Sequence, residues 1–417
     1  MKRYWKLTTI SLIAILTIAT FYLQPVFAKG QYPEFTFKTT KGDSAELKQL
    51  TLYGGYSPSV YNSLGNTFIY REEQLSLTEK ETHYDNQYSY FENLAINPFD
   101  SQLQKLQKEH KKFMRAKGSD IRNFFEDDTF LAYTAIDDSQ LGTPSNKAVF
   151  NIQILNKTSE KVLTYTIDIP LKDNTDYLYL EKIQIIDSAL KVVTRSSFSN
   201  SAKEEYHVYH LDLGNQKVIK DDLLSFETKK LDNEQSNVML LNDSQSDQLE
   251  DELIFEVDYI EPFDEKRAEE EPDYYPDTTG RKFFVYNFKD QTTQPLLIPT
   301  ESNSTDISAV VDRSTLYLYR LINQTIEVST VFLDGSGKSE NYAFELPSGS
   351  KPQFEWMKIQ AEKFYLITPA KDSQTKKELI IYDLNSSNIL YEGIIEKTAG
   401  NKDQTTDGLY IYDGIIN

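Results

Sequence analysis

The chain has no cysteine. That absence excludes a disulfide framework, a thiolate nucleophile, a cysteine-ligated metal and an acylated lipoprotein cysteine. Tryptophan (two) and methionine (four) are rare, and glycine is sparse at 16 of 417 residues. Turns must therefore be built mainly from Asn, Asp, Ser and Lys. Cations are also in deficit: 44 Lys and Arg face 64 Asp and Glu, for a net charge of −20. A surface that acidic repels phosphate backbones and excludes nucleic acid as a partner. It suits basic peptides, cationic wall polymers or divalent cations, and it serves solubility. Long apolar runs are missing too, apart from one at the start of the chain.

That run sits between Lys2, Arg3 and Lys6 and the segment Val26-Phe27-Ala28. A basic flank, an apolar core and a small residue at the end form the pattern of an export signal. The uninterrupted core, Ile10 to Leu23, is signal-peptide length. Leu7 to Phe27 is long enough for a tilted span, although Gln24 and Pro25 interrupt it. The expectation is a signal peptide or signal anchor over residues 1–28, in the form of an N-terminal apolar helix. An extracytoplasmic body over 29–417 follows, either secreted or anchored to the cell membrane. The only membrane contact expected runs through residues 7–27.

What the body has in abundance is aromatic residues, 28 Tyr and 23 Phe. They fall in short runs that alternate with polar residues and are separated by polar turns, the pattern of antiparallel strands. Hairpins are expected at Val149–Leu155 with Val162–Ile169, Tyr206–Leu213 with Val218–Leu224, Phe283–Phe288 with Pro295–Ile298, Ile326–Leu333 with Tyr342–Leu346, and Leu379–Leu384 with Ile389–Ile395. Most are preceded by a further strand pair, which makes units of four antiparallel strands. This is the sequence form of a β-propeller blade. The fold class expected is all-β, a propeller of about seven four-stranded blades, with a pair of β-sandwiches as the alternative. The count includes a weak unit within Thr67–Ile96. Leu409–Asn417 reads as a strand without a partner, and Phe35–Lys38 and Leu47–Tyr53 read as unpaired strands at the other end. Pairing tail with head would close the structure and remove exposed edges. A helical insertion is expected at residues 100–118, with Leu103, Leu106, His110 and Phe113 near one face of a helix over Gln102–Lys117. An acidic insertion is expected at residues 261–277.

The basic-apolar start, the missing cysteine and the recurring Tyr/Phe strands together resemble exported or membrane-anchored propeller-like proteins of Gram-positive bacteria. The resemblance covers the chain at the level of pattern. It implies a fold and a location and transfers no site residue, since no blade carries a Trp-Asp dipeptide, a kelch double glycine or an Asp-box.

Catalytic motifs are also missing. There is no Gly-x-Ser-x-Gly elbow and no EF-hand spacing. Asp334-Gly335-Ser336-Gly337 lacks the helix and the Lys-Ser/Thr pair of a phosphate loop and reads as a hairpin turn. His207 and His210, three apart on a strand, face opposite sides and cannot share a metal there. His83 and His110 have no visible partner. The expectation is no catalytic residue and no cofactor, apart from weak Ca²⁺ binding by acidic loops. The candidate ligand-binding surface is the acidic, tyrosine-containing insert: Glu269, Glu270, Glu271, Asp273, Tyr274, Tyr275 and Asp277. A second acidic cluster runs from Asn242 to Glu252. The leading expectation is a binding or sensory domain at the bacterial cell envelope, with an envelope protein, a peptide or a cell-wall polymer as partner. The alternative is an extracytoplasmic hydrolase or lyase that uses carboxylates.

Overall fold

A computed structural model describes residues 5, 9–15, 17, 32–57, 73–87, 101–199, 201–226, 235–242, 249–270, 274–298, 307–333, 339–346, 354–370, 373–398 and 408–416. The described chain is all-β, built from six antiparallel sheets with a few short helices. It divides into two compact units. The first comprises residues 1–109, 321–326 and 342–417, and the second comprises 110–320 and 327–341.

The first unit holds the two ends of the chain. Its larger sheet runs, in hydrogen-bonding order, Phe35–Gly42, Ile389–Lys397, Ser373–Asp383, Lys363–Ala370 and Trp356–Gln360. Its second sheet runs Leu409–Ile416, Leu50–Tyr56, Glu73–Leu77 and Thr82–Tyr84. Head and tail therefore pair as the alternating pattern implied, with Leu50 opposite Ile416 and Tyr56 opposite Leu409. Leu52, Leu75, Leu77, Leu409 and Ile411 from this sheet share a core with Phe35, Ile367, Leu379, Ile381, Tyr391 and Ile395 from the other. Gly54 is required in the pairing, because a Cβ there would be driven into the carbonyl oxygen of Tyr410.

The second unit carries three complete sheets. They are Phe124–Glu126, Phe130–Asp137, Val149–Asn156 and Val162–Asp168; then Lys217–Leu223, Ser201–Asp212, Ala189–Phe198 and Thr175–Ile186; then Gln235–Leu240, Glu252–Ile260, Thr278–Asn287 and Thr292–Pro295. A further sheet, Ser308–Asp312, Thr315–Ile322, Thr325–Phe332 and Asn341–Glu345, begins in this unit. Strand faces alternate as a period of two demands. In Val149–Asn156, Phe150, Ile152 and Ile154 are buried and pack with Leu190, Val192 and Tyr209 of the next sheet.

The structure differs from the sequence reading in five places. Six sheets are described where about seven blades were expected. The described part of the weak unit within Thr67–Ile96, Glu73–Leu77 and Thr82–Tyr84, does not form a blade of its own but extends the head-to-tail sheet, because Leu50–Tyr56 offers it a free edge. The helix expected over Gln102–Lys117 breaks at His110 into Ser101–Glu109 and Lys111–Met114. His110 leaves the helical region (φ −121°, ψ 43°) and its imidazole turns to Glu126. The strand expected at Pro295–Ile298 is Thr292–Pro295, since the turn before it is shorter than the composition suggested. At the N-terminus, residues 9–15 are helical, but among the described residues no helix is long and apolar enough to cross a membrane. The Asp334–Gly337 turn lies outside the described residues.

Scarcity of glycine leaves strain in the turns. Asp187-Ser188 and Ala361-Glu362 are two-residue hairpin turns with positive φ at both positions, 49° and 62° in the first, 52° and 60° in the second. Mirror-image turns of this kind favour Asn-Gly. Replacing Ala361-Glu362 with Asn-Gly is expected to stabilise the first unit by about 1 kcal/mol, read as a higher urea midpoint at unchanged slope.

Candidate functional site

A constellation of titratable side chains in the second unit forms where three strands of one sheet meet the hairpin of the next. Lys191 lies on Ala189–Phe198, His210 on Ser201–Asp212 and Asp222 on the edge strand Lys217–Leu223. Tyr286 comes from Thr278–Asn287 of the neighbouring sheet. Antiparallel register sets Lys191 directly opposite His210. A register shift between His210 and Leu211 brings Asp222 within reach on the other side.

His210, 1% exposed, is held from both ring nitrogens. Its Nδ1 lies 2.6 Å from Lys191 Nζ and its Nε2 lies 2.9 Å from Asp222 Oδ2. The Tyr286 hydroxyl donates to the same Asp222 oxygen at 2.8 Å and stands 3.2 Å from His210 Nε2. Lys220 Nζ closes the far side of the carboxylate, 2.7 Å from Oδ1, and also reaches the Gln291 side chain. An ammonium has only donors, so Lys191 fills the Nδ1 lone pair, and the imidazole proton resides on Nε2, facing Asp222. Every polar atom of the core network has a chemically matched partner.

The electrostatics follow from burial and neighbours. Burial pushes the His210 imidazole below its usual value, and the Lys191 cation pushes it further down, so the ring stays neutral at neutral pH. Burial also lowers the Lys191 ammonium. Burial works to raise Asp222, but hydrogen bonds from Lys220 and Tyr286 outweigh it and hold the carboxyl below the usual range. Burial and the adjacent Asp222 carboxylate drive the Tyr286 phenol upward. The result is a protonated phenol bonded to an ionised carboxylate. Both line a cavity of about 360 Å³, together with Asp221, Ser225, Phe284 and Thr293.

His207 takes its own partner, Asp221, at 2.7 Å, while His210 takes Asp222. The predicted acidic insert is placed elsewhere in the second unit. It joins Glu252–Ile260 to Thr278–Asn287, with its neck closed by Glu261 N–H donating to the Asp277 carbonyl at 3.0 Å. Asp264 caps the short helix Glu265–Glu270, on which Glu269 and Glu270 lie. Tyr274 packs on Phe263 and under the Arg267 guanidinium, 4.7 Å from its ring, and Tyr275 is exposed. Glu271 and Asp273 lie outside the described residues. In the second acidic cluster, Asn242 bonds the backbone at Glu252 and Ile254, and Glu250 pairs with Lys182 at 2.9 Å. Asp243 and Asp247 lie outside the described residues.

The expectation of no cofactor is corrected. His110, for which the sequence offered no partner, meets Glu126 at 3.0 Å. The two belong to a group of imidazole and carboxylate donors within 4.8 Å of one another, a donor set of metal-ligating type. Glu126 also accepts from Lys157 Nζ at 3.0 Å, and these hydrogen bonds hold its carboxyl below the usual range although burial opposes them. A divalent cation at this oxygen would take the place of the Lys157 ammonium.

A second buried carboxylate behaves differently. Burial pushes Glu256 up to about 7, although Arg281, 3.2 Å away, pulls it down. A carboxyl raised from about 4.5 to about 7 on folding contributes stability that is full below the lower value. That stability is lost as pH rises through the upper one. Glu256→Gln is therefore expected to leave the melting temperature at pH 5 nearly unchanged and to raise it at pH 8, with Arg281 still held by Asp258 at 2.6 Å.

No protein-family model matches the sequence, and no curated protein matches it. Solved structures with a partial likeness of shape include a point mutant of the apocarotenoid oxygenase of Synechocystis, with a TM-score of 0.44 and 10% identity over 95% of this chain and 98% of that one. The cobalt-substituted form of the same oxygenase has a TM-score of 0.40 at 10% identity, over the same shares of the two chains. A polysaccharide lyase, an ulvan lyase, has a TM-score of 0.36 and 8% identity over 92% of this chain and 95% of that one.

Proposed function

We propose that the chain is an enzyme of hydrolase or lyase type, in which Tyr286 and Asp222 act as an acid–base pair in the cavity of the second unit. The observation that carries this reading is one contact. A protonated phenol and an ionised carboxylate share a hydrogen bond of 2.8 Å at a cavity wall, with a neutral imidazole N–H beside both. In the reaction, Asp222 takes a proton from an attacking water or from a carbon acid, and Tyr286 gives its proton to the leaving group. The Asp222 proton then passes across the existing hydrogen bond to the tyrosinate, which restores both groups without an outside acid or base. His210 Nε2–H stabilises the transient tyrosinate, and Lys191 fixes the ring that presents it.

This reading favours the carboxylate-dependent enzyme over the binding or sensory domain, because a phenol, a carboxylate and an imidazole N–H converge at one cavity wall. The rest of the proposal concerns delivery and form. Residues 1–28 carry the protein out of the cytoplasm, and the body is a β-propeller. Six antiparallel sheets in chain order and the pairing of Leu50–Tyr56 with Leu409–Ile416 support the propeller.

The test is turnover of soluble polysaccharides and peptides by the full chain. It is followed as new reducing ends, new unsaturated products absorbing in the ultraviolet, or new amines. A product that forms with the native chain and not with Asp222→Asn supports the reading. A product that forms equally with both overturns it.

A further inference from the structure

We propose that the second unit carries a carbohydrate-binding platform on the strand Thr175–Ile186, made by Tyr177 and Tyr179 and separate from the acid–base pair. Positions two apart on a strand face the same way. The two rings stand with centroids 6.2 Å apart and planes inclined by 21°. They are 56% and 42% exposed, while most aromatic side chains among the described residues are buried. Rings this close leave no slot for a third ring between them, since each aromatic contact needs about 3.5–4.0 Å. A ligand must lie across the pair.

The surroundings are already set. Arg195, paired with Tyr179 across the sheet, places its guanidinium 4.6 Å from the Tyr179 ring. It is fixed by Glu181 at 2.7 Å and Glu204 at 2.5 Å. Glu181 also meets Arg122 at 3.4 Å, and Arg122 meets Asp120 at 2.7 Å. Two exposed rings, one of them carrying the Arg195 guanidinium over its face, therefore stand beside a rigid, charged fringe of donors and acceptors. A sugar ring fits both halves of this arrangement. Its C–H face stacks on the phenol rings and its hydroxyls bond to the guanidinium and carboxylate edges. Because the groups are held by one another before any ligand arrives, little ordering cost remains at binding.

Charge decides the class. The fringe pairs its cations with carboxylates, and the chain as a whole stands at −20, so a polyanion is repelled and a neutral or amino-sugar chain is accepted. A proline-rich peptide is the rival occupant, but such peptides dock into grooves between aromatic rings, and the spacing here offers none.

The experiment is calorimetric titration of the full chain with four probes: cellohexaose, a glucosamine hexamer, a galacturonate hexamer and a proline decamer. Binding of the two uncharged or cationic hexamers is expected, weakened about tenfold or more by Tyr177→Ala/Tyr179→Ala. The Phe/Phe double variant should retain it, and so should Tyr286→Phe. Retention by Tyr286→Phe separates the platform from the acid–base pair, so either can fail alone. The proposal is overturned if neither hexamer binds, if the Ala/Ala variant binds them as well as the native chain, or if the galacturonate or proline probe is preferred. Both rings are exposed, so the variants are expected to fold as the native chain does, checked by their melting curves.

Discussion

Tyr286→Phe is expected to lower turnover by a factor of about 10² to 10⁴, the range a positioned proton donor supplies, while the protein stays folded. The substitution keeps the ring, which packs edge-on against Phe288 at 5.3 Å within the core shared by Leu253, Phe255 and Phe284. It deletes only the hydroxyl that bonds Asp222. The structural cost of one such bond is about 1 kcal/mol, a small shift in melting temperature. Loss of the proton donor is a much larger effect, because Phe cannot protonate a leaving group. The comparison is made on whichever substrate the native chain converts, with substrate affinity measured separately. A fall in turnover at unchanged affinity is the expected outcome. A fall in affinity alone would make Tyr286 a binding contact.

The second large effect concerns the tail. A chain ending at Asp407 is expected to lose cooperative folding of the first unit. It loses Leu409 and Ile411, buried at 4% and 2% exposure, each contributing about 1.5–3 kcal/mol. It also loses three cross-links from the tail to Trp356–Gln360 and the residue before it. Ile411 N–H donates to Glu355 at 2.8 Å, Lys358 Nζ donates to the Gly414 carbonyl at 3.1 Å, and Gln360 donates to Ile416 at 3.3 Å. Leu50–Tyr56 becomes an open edge, ready to pair with another copy. Together these losses approach the few kcal/mol by which a domain is stable. Urea unfolding followed by near-ultraviolet circular dichroism checks it. Addition of a peptide of residues 408–417 should restore the transition. An unchanged midpoint would mean that the tail strand is dispensable.

How much of this was readable from residues alone depends on range. Strands and hairpins are local, and the alternation of Tyr, Phe, Ile and Val with polar residues placed most of them within a few residues of their observed bounds. The head-to-tail pairing was also readable, because two ends with unpaired strand patterns have one economical solution. The merging of the weak unit into the terminal sheet was not, since it depends on which edge of Leu50–Tyr56 stays free after the tail has docked. The site was the least legible part. The partner of His210 was not visible in the sequence, because Asp222 lies across a hairpin and reaches it through a register shift. Tyr286 arrives from a different sheet, 76 residues away. No spacing rule connects them. The one available signal was the hairpin itself, which places Asp221 and Asp222 beside a strand that carries both histidines. The acidic insert drew notice by composition; in it Asp264 caps a helix and the Asp277 carbonyl closes the neck, while Tyr275 stays exposed.

Turnover by the double variant Tyr286→Phe/Asp222→Asn, beside both single variants, tests the acid–base pair most directly. If the two groups pass one proton between them, removing the second costs little once the first is gone, and the double variant is expected to be no slower than the slower single one. Losses that multiply in the double variant, or single variants that turn over at the native rate, would contradict the pair.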